Sequence, residues 1–397
     1  MDKKQKWIFW QVVPSPHLAP FFRELARKLG SEGEVICIFE CPVPQERLNL
    51  GWALPDYGGV KTIIAPTEVE VERLVETGSS AAFHFFSGLI SSRWLRTVYR
   101  RCLNLVSFLG IITEARNSYG FQGLLRRAHS LWIEREWRGN VDLAFAMGGE
   151  GVRWLGSVGY SPLTTFPFGY VVETPTSNKP PSSSRRNVHF AFVGKLEQRK
   201  FTELLVKAFL RSEFENCALT IVGDGPERVT LERLVTGSDW RRNVAFRGAL
   251  PNAEVRQVLA DSDCLVLPSK YDGWGAVVNE AMLAGTRVIV SDRCGAADVV
   301  ESGYNGFIFK SGDIGSLVSA MTRIRDMGPI DPVSRQDLIR AAAVLSPASL
   351  VEYFLNVVEY AESGYRGERP KPPWEGRLKQ RSALSELAAN QTRDWSR

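Results

Sequence analysis

Residues 268–282 read Pro-Ser-Lys-Tyr-Asp-Gly-Trp-Gly-Ala-Val-Val-Asn-Glu-Ala-Met, placing two carboxylates, Asp272 and Glu280, eight positions apart across a glycine-rich turn. An apolar stretch precedes the turn and a helical pattern follows it. In open α/β sheets, ligands bind at that point, beyond the carboxyl ends of the strands. Ser269 leads into the turn. Gly273 and Gly275 flank Trp274 and let backbone approach a ligand closely. The N–H groups of Gly275, Ala276 and Val277 would open the helix, where unpaired donors suit a diphosphate. The two acids are then placed to bracket a ligand, one on a sugar and one on ribose hydroxyls. Taken singly, each has a plainer reading as a helix-capping Asp or an exposed Glu.

Two further patches share this chemistry. Phe192-Val193-Gly194-Lys195-Leu196-Glu197-Gln198-Arg199-Lys200 ends a strand on Gly194 and sets two lysines, Lys195 and Lys200, around one loop. Ammonium groups there would stabilise negative charge on a departing diphosphate, although two such lysines alone read as solvated surface. Ile221-Val222-Gly223-Asp224-Gly225-Pro226 puts Gly223 and Gly225 after another strand. The third glycine of the dinucleotide fingerprint is missing, which argues against a nicotinamide enzyme. Asp261-x-Asp263 resembles a metal-binding pair but lacks further ligands, so it reads as a structural turn, and no metal is expected.

A chain of 397 residues carrying these patches calls for two α/β domains. Strand patterns alternate with helical ones, starting at Trp7–Val13 and Leu18–Leu29. The Pro- and Ser-rich stretch 173–187 separates an N-terminal domain, 1–172, from a C-terminal domain, 188–346. A helix over 347–363, capped by Ser346, is expected to cross back onto the first domain, and the polar tail 364–397 to be poorly ordered. The net charge of +5 is too mild to argue for nucleic acid. The six cysteines have no metal or redox spacing, which fits free thiols in a reducing cytosol. The basic, apolar N-terminus ends at Pro14 and reads as a buried strand rather than a leader, and no run approaches a membrane span of about 18 apolar residues.

Taken together, Gly194-Lys195…Lys200, Val222-Gly223-Asp224-Gly225-Pro226, Asp263…Pro268-Ser269, Asp272…Glu280 with Gly285, and Gly303…Asn305-Gly306 resemble the family 4 glycosyltransferases over about 160 residues. The resemblance implies a GT-B fold, with two facing Rossmann-like domains and the active site in the cleft between them. It implies retaining, metal-independent transfer of a hexose from a nucleotide sugar to a hydroxyl of a saccharide or lipid-linked acceptor, with no other cofactor. By the same analogy the setting is bacterial surface polysaccharide or lipopolysaccharide assembly. Glu280 would hold the ribose, Asp272 the donor-sugar hydroxyls, and Lys195 and Lys200 the diphosphate. Gly273 to Val277 would contact phosphate and sugar, and the segment from Arg247 would flank the base. The family usually has Arg at Lys195, Glu at Asp272 and Gly at Phe201. Two alternatives are a non-catalytic nucleotide-sugar-binding partner and a GT-B epimerase.

The N-terminal half departs further. Its first loop is Pro14-Ser15-Pro16-His17, with His17 expected in the cleft. Ala82-Phe83-His84 resembles the family's strand ending in His, and Glu114 stands where many members place another His. Both are candidate catalytic residues, with a core histidine and a Glu114–Arg116 pair as the bland alternatives. Residues 88–140 carry nine Arg and three Glu among tryptophans. Such a surface suits peripheral contact with an anionic membrane at the inner face of the cell, or is simply a solvated helix face.

Overall fold

In the computed structural model, which describes residues 4–49, 54–76, 82–103, 105–106, 108–173, 187–211 and 214–375, every strand pairs in parallel with its neighbours. The reason lies in the strand sequences. Runs such as Cys264–Leu267 and Leu143–Met147 are buried at every position, as strands covered on both faces must be. Two units result. One comprises Met1–Glu173 and Leu350–Pro370, the other Thr174–Ser349 and Lys371–Arg397. Most of the expected linker, 174–186, and the tail from 376 lie outside the described residues.

The first unit contains β1 (Gln5–Gln11), α1 (Ala19–Leu29), β2 (Gly33–Phe39), α2 (Gln45–Asn49), β3 (Lys61–Ile64), α3 (Glu68–Glu76) and β4 (Ala82–Ser87). It continues with α4 (Arg93–Cys102), β5 (Phe108–Thr113), α5 (Gly120–Ile133), β6 (Leu143–Met147), α6 (Gly148–Ser157) and β7 (Thr165–Phe168). The sheet order is β3-β2-β1-β4-β5-β6-β7. The direction of winding therefore reverses between β1 and β4.

The second unit runs β8 (His189–Val193), α7 (Thr202–Phe209), β9 (Ala218–Val222), α8 (Arg228–Thr236), β10 (Val244–Gly248), α9 (Asn252–Ala260) and β11 (Cys264–Leu267). It then adds α10 (Val277–Leu283), β12 (Arg287–Ser291), β13 (Gly306–Phe309), α11 (Ile314–Met327) and α12 (Pro332–Ala342). The sheet order is β10-β9-β8-β11-β12-β13, with the reversal between β8 and β11.

The last helix, α13 (Pro347–Glu362), starts from Ser346, whose hydroxyl accepts from the Ser349 amide at 3.3 Å. From Leu350 onward it belongs to the first unit. Phe354 sits there 5.1 Å from the Phe21 and Phe85 rings and 5.0 Å from Phe145. By length and composition alone, Pro332–Glu362 would pass for a membrane-crossing helix. It is two helices joined by a short 3-10 turn, and Leu338, Ala342, Phe354 and Val357 spend their apolarity in the cores.

The tail departs from expectation at its start. The Tyr365 hydroxyl donates to the Asp142 carbonyl, and Arg369 donates to Leu163 O while lying 3.9 Å over the Phe166 ring. Trp374 is buried. A polar, Pro-rich composition conceals three widely spaced anchors, each of which ties down the residues around it.

Candidate functional site

The winding reversal in the second sheet splits the connections after β8 and β11 to opposite faces and leaves a crevice at their carboxyl ends. Gly194 to Lys200 follow β8, and Ser269 to Val277 follow β11, so the topology brings two of the three sequence patches together. The third, Gly223 to Gly225, follows β9, the neighbour of β8.

Their backbones touch. Gly194 N–H donates to Val222 O at 3.0 Å, and Leu196 N–H to Asp224 O at 2.9 Å. A Cβ on Gly223, which also has φ +132°, would lie 1.9 Å from Gly194 O, so no side chain fits there. On the other loop, the Lys270 amide donates to Arg199 O at 2.9 Å.

Two charged side chains close the crevice. The Lys200 ammonium donates to Asp272 Oδ2 at 2.5 Å, with side-chain exposures of only 14% and 11%. Arg199 adds a second cation 3.5 Å from the same oxygen. Arg199 was not singled out from sequence, because an arginine between two polar residues in a loop carries no pattern. Ser269 is fully buried, and its carbonyl accepts from the Ser291 hydroxyl at 2.7 Å. Lys195 is half-buried in the loop after β8. Arg247 is exposed at the end of the edge strand β10, where the register with β9 slips.

The turn bearing Gly273 to Ala276 is sewn to the loop after β12. The Gly295 amide donates to Asp272 O at 3.2 Å and the Ala296 amide to Trp274 O at 2.8 Å. The Cys294 thiol donates to Trp274 O, and burial pushes that thiol well above the usual range. Gly275 has φ +92°, and a Cβ there would lie 2.7 Å from Leu267 and 2.9 Å from the Cys294 sulfur. Trp274 itself is buried, so it is a structural wedge and not a ligand-facing ring. Its indole N–H donates to Asn279 Oδ1 at 2.9 Å.

Glu280 follows Asn279 on α10. Burial pushes its carboxyl up to about 7, only partly countered by the charge of Arg256. A carboxylate stripped of water is a strong acceptor for ligand hydroxyls. Asp263 has the structural role read from sequence. Its Oδ2 accepts from His189 N–H at 2.8 Å and its Oδ1 from Ile330 N–H at 2.9 Å. Among the described residues, no group of three or more His, Cys, Asp or Glu is placed to hold a metal ion.

Residues 175–343 match the family "Glycosyl transferases group 1". That match places the likeness to group 1 glycosyltransferases in the second unit. The chain is 32% identical to the sulfoquinovosyl transferase SQD2 of Arabidopsis thaliana over 132 residues, which is 32% of this chain and 25% of that protein. The chain is 28% identical to the glycogen synthase of Mycobacterium tuberculosis over 244 residues, or 60% of this chain and 57% of that one. The matched stretches thus span a quarter to just over half of these relatives. Among solved structures, the chain is similar to the lipopolysaccharide outer core galactosyltransferase WaaB, with a TM-score of 0.68 at 16% identity, covering 89% of this chain and 99% of that one. It is also similar to Anabaena Alr3699/HepE in complex with UDP, with a TM-score of 0.64 at 17% identity, covering 90% and 100%. The fold is GT-B.

Outside the group 1 domain, the structure sorts the first unit's candidates differently. His84 is the third residue of β4, which runs on to Ser87, so its ring lies inside the sheet and not at the strand's end. It is fully buried, accepts from the Trp10 indole at 3.1 Å, and is pushed down to about 3 by desolvation. His84 is therefore placed as a neutral residue of the core, the plainer of its two sequence readings. His17 and Glu114 are reachable, and they converge on Tyr170, which sequence reasoning missed. The His17 and Tyr170 rings are 5.6 Å apart, and the Tyr170 hydroxyl donates to Glu114 Oε1 at 2.5 Å. Arg116, the other candidate partner of Glu114, donates to Ser130 Oγ at 3.0 Å. His17, Glu114 and Tyr170 follow β1, β5 and β7, all at the carboxyl end of the first sheet. Only contacts between residues far apart in sequence, 56 positions for Tyr170 and Glu114 and more for His17 and Tyr170, reveal the grouping.

Proposed function

We propose that the protein is a retaining hexosyltransferase that moves a sugar from a nucleotide-sugar donor to a hydroxyl of a saccharide or lipid-linked acceptor. The observation that carries this reading is the Lys200–Asp272 pair beside a glycine-walled turn, with the desolvated Glu280 one helical turn further on. Cations, close backbone and a strong hydroxyl acceptor are what a sugar diphosphate with a ribose requires. Anabaena HepE, of the same fold, has been obtained with UDP and with UDP-glucose.

In this reading, Lys195 and Lys200 take the diphosphate, Glu280 the ribose hydroxyls and Asp272 the sugar hydroxyls. Arg247 lies on the side of the base. As the glycosidic C–O bond to the phosphate breaks, the departing phosphate oxygen accepts the proton of the attacking acceptor hydroxyl on the same face of the sugar. The new C–O bond then keeps the anomeric configuration. No side chain acts as nucleophile, and no step is assigned to a metal or resident cofactor. The protein supplies orientation and fixed positive charge. His17, Glu114 and Tyr170 serve the acceptor.

Bacterial surface polysaccharide or lipopolysaccharide assembly at the cytoplasmic face of the membrane is the proposed setting. It is supported by the likeness to an outer-core galactosyltransferase. Helix α5 supports it further by exposing Phe121, Leu124, Leu125, Leu131 and Trp132, with Arg135 set 5.4 Å over the Trp132 ring. An apolar face with cations at its margin suits an anionic bilayer.

The test is incubation of the purified chain with a panel of nucleotide sugars and acceptor saccharides, with products read by mass and anomeric configuration by NMR. A retained α or β linkage from at least one donor is expected. Inverted product, free epimerised donor or no turnover of any donor would overturn the reading.

A further inference from the structure

The Pro-rich stretch Lys371-Pro372-Pro373-Trp374 belongs to the second unit, although the residues just before it belong to the first. Trp374 is 7% exposed, and its ring lies 5.5 Å from that of Trp274, tilted by 52°. A late-chain tryptophan is seldom buried without a partner that requires it. Here the partner is the central residue of the turn between Asp272 and Val277.

Trp274 is held at three points. Its indole N–H is bonded to Asn279 Oδ1 at 2.9 Å, and its carbonyl accepts from the Ala296 amide and the Cys294 thiol, each at 2.8 Å. Neighbouring Gly273 and Gly275 provide no side chains to pack, and Gly275 has a positive φ. The wedge therefore sets the path of the turn, and Trp374 packs its own ring against that wedge. Prolines 370, 372 and 373 restrict the chain that presents Trp374, so little freedom is lost in docking it.

We propose that Trp374 is a positioning residue: it packs on Trp274 and so holds the Asp272–Val277 turn in the conformation that receives the donor diphosphate. The inference rests on the donor role proposed for that turn, but its structural half can be read without any ligand.

The experiment uses the full chain as wild type, W374A and W374F, with amide hydrogen exchange followed over residues 270–283 and UDP, GDP and ADP titrated calorimetrically. W374A is expected to speed exchange in 270–283 selectively and to weaken the bound nucleoside diphosphate by about ten-fold, as loss of a packed aromatic pair implies. W374F should restore both. Unchanged exchange in 270–283, or an equal rise across the whole second unit, would overturn the proposal. So would selective loosening of the turn with unchanged affinity in a wild type that binds. A wild type that binds none of the three, with selective loosening still seen, would remove the proposed donor role and leave only the packing of the turn.

Discussion

Exchanging Glu280 for glutamine keeps the size of the side chain and removes its ionisable group. The fold holds this carboxyl at about 7 against 4.5 in the unfolded chain, with burial as the main cause. At about 1.4 kcal/mol per pH unit, ionising it in the folded state is unfavourable by up to about 3 kcal/mol. Water reaching the partly exposed side chain reduces this to about 1–2 kcal/mol. The sign follows from which state binds more protons. Well below 4.5 the carboxyl is protonated in both states and contributes nothing. As pH rises toward 7, the unfolded chain releases its proton first and stability falls; above about 8 the penalty is constant. E280Q escapes that penalty. Thermal melts at pH 5 and pH 8 are therefore expected to coincide more closely at pH 5, with the variant about 2–8 °C higher at pH 8. If Glu280 holds the ribose hydroxyls as proposed, the same change removes their charged acceptor and should weaken nucleotide binding at least about ten-fold. A melting difference that does not depend on pH, or undiminished affinity, would refute the reasoning.

K200A should weaken nucleoside diphosphate binding by about ten- to hundred-fold in calorimetry, since it removes a charge-assisted contact, while D272N should leave that affinity within about three-fold and lower transfer instead. Phe201 holds a left-handed φ of +54° just before α7, its ring 4.3 Å beneath the Lys270 ammonium. F201G relieves about 1 kcal/mol of backbone strain and forfeits a similar amount of packing. Its melting temperature should therefore stay within a few degrees of wild type, and denaturant titration will show whether the two cancel. H84A should lower stability by about 1–3 kcal/mol by emptying a buried site and stranding the Trp10 indole, with the KM of donor and acceptor unchanged in the surviving folded fraction.

The second unit was legible because its candidate site is built largely from backbone. Gly194, Gly223 and Gly275 are at positions where a Cβ or an ordinary φ does not fit, so the residue type itself reports the geometry. Asp272 and Lys200 announced themselves by strand-turn-helix context, and their pairing follows from the switch in strand order. The first unit's candidate site is made of single side chains following β1, β5 and β7. Nothing local ties His17 to Tyr170 or Glu114. His84 misled because a histidine near a strand end looks alike whether it faces substrate or the core. The tail misled in the other direction, since Tyr365, Arg369 and Trp374 each act alone in a polar stretch. The strained Phe201 stands where a glycine was expected by resemblance, and its positive φ gives the physical reason for that preference.

The central claim, that the crevice at the ends of β8, β9 and β11 binds a nucleotide sugar, is tested most directly by titrating UDP-, GDP- and ADP-sugars into wild type, K200A and E280A. Saturable binding of at least one donor by wild type, weakened ten-fold or more in each variant while the melting temperatures show both folded, is the predicted result. Binding that survives both substitutions, or no binding of any donor to the wild type, would contradict the account.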